Sequence, residues 1–230
     1  MTALVTGASG SLGSAIVNEL KEAGCQVIPW HHWDHPDYSE IPAVDILVNC
    51  AGIYGPIGPF ASSDMLEWQR TIFVDLLLAV QACHSVVAGM ILRGYGKIIN
   101  ISGGGATKAR PNFSAYSTSK AALVRFTETL AEEVKLFHID VNAVAPGMMR
   151  TAMTDKVLAA GPEAAGIEEY KQAESCDTTP ERAAKLVAFL ASHESDGITG
   201  RLISVHDPWE GLRAADFENA PDKYRLRRAL

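Results

Sequence analysis

Tyr116 and Lys120, in the stretch SAYSTSK, stand four residues apart, the spacing that places two side chains on one face of a helix. A free phenol titrates near pH ~10, and an ammonium beside it favours the phenolate by charge attraction. Such a pair can hand a proton to a carbonyl oxygen, or take one from an alcohol, near neutral pH. Taken alone it is ordinary decoration of an amphipathic helix, but other residues of the right kind accompany it. Upstream, KIINISGGGA ends a β-branched run in Ser102 and three glycines, a hydroxyl suited to bonding the same oxygen. Near the start, VTGASGSLGSAIVNEL sets Gly7, Gly10 and Gly13 between an apolar run and a helical pattern. Gly7 permits a tight turn, Gly10 lets backbone approach a pyrophosphate, and Gly13 lets the helix pack on the strand. The free N–H groups of that helix end then face phosphate. With a dinucleotide so placed, VNAVAPGMMRT ends another run in Pro146 and Gly147 and carries Thr151 at a spacing suited to a nicotinamide amide, and VNCAG brings the Gly52 backbone alongside.

These residues need strand tips to hold them. The runs ALVTGA, CQVIPW, DILVNCAG, GKIINIS, IDVNAVAPG and GRLISVH alternate with longer helical patterns, which implies crossover connections and a parallel sheet covered on both faces. The strands are apolar throughout, as strands buried on both faces must be. The expected fold is therefore α/β, a Rossmann-type doubly wound sheet in one domain, 1–230, in which ligands gather at the carboxyl ends of the strands. Between His31 and Asn49 there are too few residues for another full strand and helix, so the third strand–helix unit is expected to be missing or reduced to a turn. Two segments, 161–179 and a C-terminal extension at 207–230, are expected to serve as substrate lids or oligomer arms. In the extension, Trp209 and Phe217 are expected to anchor against the body or a partner subunit.

Composition excludes several classes. With 20 Lys and Arg against 27 Asp and Glu, net −7, there is no basic excess for nucleic acid or anionic membrane, and KYRLRR near the end is expected to be a solvated or subunit-facing helix end. No uninterrupted apolar run approaches the ~20 residues of a membrane span, and the opening MTALVTGASG leaves no room for a signal peptide, so a cytoplasmic protein is expected. The cysteines Cys25, Cys50, Cys83 and Cys176 lie far apart and are expected to be buried free thiols. Adjacent histidines in HHWDH point to opposite sides of an extended chain, and no metal is expected. After the second strand, where an acid would read the ribose of NAD and a base the extra phosphate of NADP, the chain has His31 and His32, with Asp34 further on. The cofactor is expected to be NADP or NAD, leaning to NADP.

From Val5 to about Ile203, the motifs TGASGSLG, NCAG, NISG, YSTSK and PGMMRT, in order and spacing, resemble the short-chain dehydrogenase/reductase family. That resemblance implies hydride transfer between a nicotinamide and a ketone or secondary alcohol of a small molecule. It implies Tyr116 as general acid/base, Lys120 lowering its pKa and holding the ribose, and a serine steadying the substrate oxygen. The cofactor contacts it implies include Ser9, Ser11 and Leu12 in the glycine loop, Asn49 and Ala51 in NCAG, and Met149 beside Thr151. It further implies a homo-dimer or homo-tetramer built on the long helices, here 66–93 and 116–135. The chain departs from the pattern in four ways. Ser11 stands where the family has its middle glycine, and the third unit is short. Gly103 stands where the family serine is expected, so Ser102 serves only if the glycine turn bends differently. Asp75 replaces the Asn that helps organise a relay water. These departures leave open a dinucleotide-binding sensor or scaffold without turnover, and the same tyrosine also suits isomerisation through a transient ketone.

Overall fold

Each apolar run becomes a strand: β1 (Thr2–Thr6), β2 (Gln26–Trp30), β3 (Ile46–Asn49), β4 (Gly96–Ile101), β5 (Ile139–Ala145) and β6 (Leu202–Ser204). In this computed structural model, which describes residues 1–31 and 37–227, they form one parallel sheet in the order β2-β1-β3-β4-β5-β6. β1 is flanked by β2 and β3, with Val5 opposite Pro29 on one side and Val48 on the other. The chain thus reverses direction at β1, the switch point beside which doubly wound sheets bind ligands. Between β2 and β3 the described residues hold one short 3₁₀ turn, Tyr38–Glu40, so the third strand–helix unit is reduced to a turn and β2 lies at the sheet edge. Pro29, which has no N–H for a further partner, is tolerated there.

Successive strand residues go to opposite cores. Val5, Val48, Ile99 and Val144 pack under α1 (Ser11–Glu22) and α7 (Pro180–Ala191), through Ile16, Leu20, Leu186 and Leu190. Leu4, Leu47, Ile98 and Val141 pack under α3 (Leu78–Arg93) and α4 (Ser114–Val134), through Ala82, Val86, Met90 and Leu130. Each such side chain removed from water contributes roughly 1.5–3 kcal/mol, which is why the sheet can hold polar groups rigidly at its carboxyl end.

The first long helix starts at Asp64, whose carboxylate accepts from Leu66 N at 2.8 Å. It runs as α2 (Met65–Ile72), a π-helical turn Phe73–Leu77, and α3, ending at Gly94 with φ 66°. π-turns gather at functional sites, and this one carries the buried Asp75. By length and composition alone the whole helix, Met65–Arg93, is able to cross a membrane, although no uninterrupted apolar run in it is that long. Its polar residues, such as Gln81 and His84, are too widely spread to break the average. One flank packs on the sheet, and Leu66 and Leu77 are exposed on another.

The segment after β5 is more helical than the sequence suggests. Thr151 caps α5 (Ala152–Ala165) in a capping box with Thr154, and α6 (Ile167–Ser175) follows. Glycines at 161 (φ 77°) and 166 (φ 90°) break the run, which hides its helical periodicity. The C-terminal extension folds back on the body. Trp209, Leu212 and Phe217 join the first core, Arg201 donates to the carbonyls of Pro221 and Lys223, and Leu202 N donates to Tyr224 O at 2.7 Å along the edge of β6. The basic cluster is not a helix end among the described residues. Instead Arg225 pairs with Glu132 at 3.0 Å and Arg227 with Glu128 at 3.4 Å, both on α4. The cysteines are free, but only Cys83 is fully buried; Cys25, Cys50 and Cys176 are half-buried.

Candidate active site

A cavity of about 430 Å³ opens at the carboxyl ends of the strands, around the switch point. Its first wall is the glycine loop, with Ser9, Ser11 and Leu12 facing it. Gly7 adopts φ +66°, and a side-chain carbon there would stand 2.8 Å from Ala51 Cα; one at Gly13 would press into the Gly7 carbonyl well inside contact distance. At Gly10 the nearest atom would be 3.5 Å away, in the cavity wall. Gly10 is also the N-cap of α1 and offers no side chain to the first-turn N–H groups, which leaves them for an anion. The cradle therefore fits a dinucleotide pyrophosphate.

The other walls follow the strand tips. His31 closes the β2 side; His32 and Asp34 lie outside the described residues. Ala51 and Gly52 after β3, Ser102 after β4, and Pro146, Gly147, Met149 and Thr151 after β5 all face the cavity. Asn49 does not. Its amide donates to Asn100 Oδ1 at 2.9 Å, clamping β3 to β4 beneath the floor, because the last strand residue points toward the helices. Thr151 is engaged as the cap of α5, its Oγ1 accepting from Thr154 N at 3.4 Å, while it still lines the cavity.

α4 brings Tyr116 and Lys120, both buried, to the same cavity. Lys120 Nζ donates to Ile101 O at 3.0 Å, lies 3.7 Å from Asp75 Oδ2 and 5.7 Å from the Tyr116 ring centre. Asp75, 1% exposed, does not face the cavity; its Oδ1 accepts from Ile53 N at 2.8 Å. Burial pushes its carboxyl above the usual range, against the pull of Lys120. The net direction of the phenol's pKa is upward, not the acidic shift expected from Lys120 alone. Tyr116 is held well above the ordinary tyrosine range, first by burial, then by the phenol of Tyr54 and the carboxylate of Asp75, with Arg110 pulling the other way. The ammonium lies nearer to Asp75 Oδ2 than to the centre of the Tyr116 ring.

Gly103 is extended, φ 178°, so the turn makes no left-handed bend there. The Tyr116 hydroxyl fills the space a side chain at 103 would need. Ser102, 2% exposed, faces the cavity with an Oγ that has no partner among the described residues.

Two residues escaped the sequence reading. Tyr54 lines the cavity, with its ring centre 4.8 Å from that of Tyr116 at 73°. Its place two residues beyond NCAG was the available signal. Arg110 lies over the rings of Phe113, Tyr54 and Tyr116, and nothing in its local sequence marks it. Cys50, also on the wall, is kept a protonated thiol, its pKa pushed up to about 12 by burial.

Comparison with known proteins adds an independent line. The sequence profile of a family described as enoyl-(acyl carrier protein) reductase matches residues 38–207. Nodulation protein G of Rhizobium sp. (strain N33) is 30% identical over 237 residues, taking in 89% of this chain and 94% of that protein. An acetoacetyl-CoA reductase of Paracoccus denitrificans is 33% identical, across 86% and 93%. Among solved structures, a Beutenbergia cavernae protein described as a candidate NAD(P)-dependent gluconate 5-dehydrogenase, with NADP at low occupancy, superposes with TM-score 0.78 at 27% identity, covering 92% of this chain and 97% of its own. Aldohexose dehydrogenase of Thermoplasma acidophilum, ligand-free, superposes with TM-score 0.75 at 29% identity, over 89% and 91%.

Proposed function

This chain belongs to the short-chain dehydrogenase/reductase family and is an NAD(P)-dependent oxidoreductase, and on that premise we propose that Tyr116 is its general acid/base, Lys120 the charge that supports it, and Ser102 the hydroxyl that steadies the substrate oxygen. The observation that carries this reading is one cavity shared by the glycine cradle and the buried phenol–ammonium pair. When bound, the nicotinamide supplies or takes up the hydride exchanged with a ketone or secondary alcohol. Tyr116 as the phenol donates to a ketone oxygen, and as the phenolate it takes the proton of an alcohol. As that proton leaves, Lys120 offsets the charge appearing on the phenolate, and the unpartnered Ser102 hydroxyl bonds the reacting oxygen. Asp75 holds the ammonium in place from behind.

The further parts of the reading are a preference for NADP, supported by His31 rather than an acid at the β2 tip, a homo-dimer or homo-tetramer, supported by the exposed apolar flank with Leu66 and Leu77, and a place in the cytoplasm, in keeping with the reductases it resembles. The Tyr116→Phe enzyme tests the assignment. It is expected to quench with NADPH as the native protein does and to lose about 10²- to 10⁴-fold in turnover across a ketone panel. Full turnover in that variant removes Tyr116 from the proton transfer.

A further inference from the structure

Between the glycine turn and Tyr116 the chain buries a guanidinium. Arg110 is 8% exposed, its Cζ 4.2 Å from the ring centre of Phe113, 5.0 Å from Tyr54 and 5.5 Å from Tyr116. A cation taken out of water needs a counter-charge, and here it is Glu169 of α6, with Oε2 2.7 Å from Nη2. That contact lies off the line of a directed hydrogen bond, and neither atom has another partner among the described residues. The pair is thus charge-balanced but poorly locked. Glu169 keeps 14% of its side chain exposed, and its helix follows the left-handed glycines at 161 and 166. Tyr54, over whose ring the guanidinium lies, lines the cavity together with Tyr116.

We propose that Arg110 is an anion subsite of the substrate pocket, occupied in this state by the carboxylate of Glu169, and that the substrate is a short oxo acid, or the matching hydroxy acid, whose own carboxylate takes Glu169's place. The proposal rests on the proton-transfer reading of Tyr116, since it puts the substrate carbonyl at that phenol. Its physical basis is charge matching. Exchange of one carboxylate for another leaves the buried guanidinium compensated, while Glu169 turns outward with α6 into water. A neutral ketone that displaced Glu169 would strand an uncompensated buried cation. A simple latch between α6 and the body would need Arg110 equally for every substrate, which separates the two roles.

The test gives the enzyme NADPH with 2-oxobutanoate, 3-oxobutanoate and 4-oxopentanoate, each beside its methyl ester, and with neutral ketones. At least one acid is expected to exceed its ester in kcat/KM by about 10-fold or more, as charged hydrogen bonds allow. Arg110→Met is expected to lose about 10-fold or more on that acid beyond its loss on the ester, mostly in KM. Glu169→Gln is expected to lower KM for the acid, since the competing charge is gone. The acid-to-ester ratio of the native enzyme and the Glu169→Gln result decide the matter even if Arg110→Met fails to fold, which melting and NADPH quenching reveal. Equal or better use of the esters, equal losses on both in Arg110→Met, or a raised acid KM in Glu169→Gln overturns the proposal. Reduction of neutral ketones without the acids overturns it while leaving the role of Tyr116 intact, whereas NADPH binding with no turnover on any compound overturns both.

Discussion

Replacing Asp75 by Asn asks whether that carboxylate, and not burial alone, keeps Tyr116 protonated. Its Oδ2 lies 3.7 Å from Lys120 Nζ, which lies 5.7 Å from the Tyr116 ring centre. Laid end to end these place Oδ2 no more than 9.4 Å from the ring. At an effective dielectric of about 20, a unit charge at that distance opposes the phenolate by roughly 1.8 kcal/mol, or about 1.3 pH units, and any shorter separation enlarges the effect. The carboxylate disfavours phenolate, so its removal lowers the phenol's pKa, and the newly uncompensated ammonium acts in the same direction. Alcohol oxidation needs the phenolate and rises with pH as it forms; that rise is expected to move at least about one unit toward acid in Asp75→Asn. Ketone reduction needs the phenol, and its alkaline decline is expected to move the same way. The amide can still accept from Ile53 N, as Asp75 Oδ1 does at 2.8 Å, so the melting temperature is expected to fall only a few degrees. The assay is the initial rate of oxidation with NADP across roughly pH 6 to 11, native against variant. A rise that stays in place, or moves to alkaline pH, refutes the electrostatic role of Asp75.

Ser102→Ala removes a buried hydroxyl that has no partner among the described residues, so the fold is expected to hold or gain stability while kcat falls about 10- to 100-fold; unchanged kcat with unchanged melting would exclude Ser102 from the reaction. Gly13→Ala drives a methyl into the Gly7 carbonyl and is expected to abolish NADPH quenching, whereas Gly10→Ala, with its nearest atom at 3.5 Å, is expected to fold normally and bind more weakly. Lys97, 1% exposed, joins Asp140 and Asp196 at 2.7 Å each, at the end of β4 away from the cavity. Lys97→Met leaves the Asp140 carboxylate uncompensated and is expected to lower stability by about 3–5 kcal/mol in urea unfolding, with KM values unchanged.

The features legible in the chain are those set by neighbours in sequence. The glycine loop, the alternation of strands and helices, and the shared face of Tyr116 and Lys120 depend on turn and helix geometry that a dozen residues determine among themselves. The loss of a strand–helix unit follows from length alone, since the chain between β2 and β3 cannot be stretched to make one. The helices α5 and α6 were obscured because glycines interrupt the period that identifies a helix. What lies across the sheet was not legible. Asn49 turns from the cavity because Asn100, on the next strand, holds it. Lys120 meets Asp75, from a helix forty-odd residues earlier, and burial outweighs whatever lowers the pKa of Tyr116. Arg110 finds Glu169 only because α6 packs into the same cluster as Tyr116. Periodicity tells a residue which way to point along its own element; which charge it then meets depends on how the elements stack, and Coulomb forces in a buried site respond to that distance and to nothing else in the order of the chain.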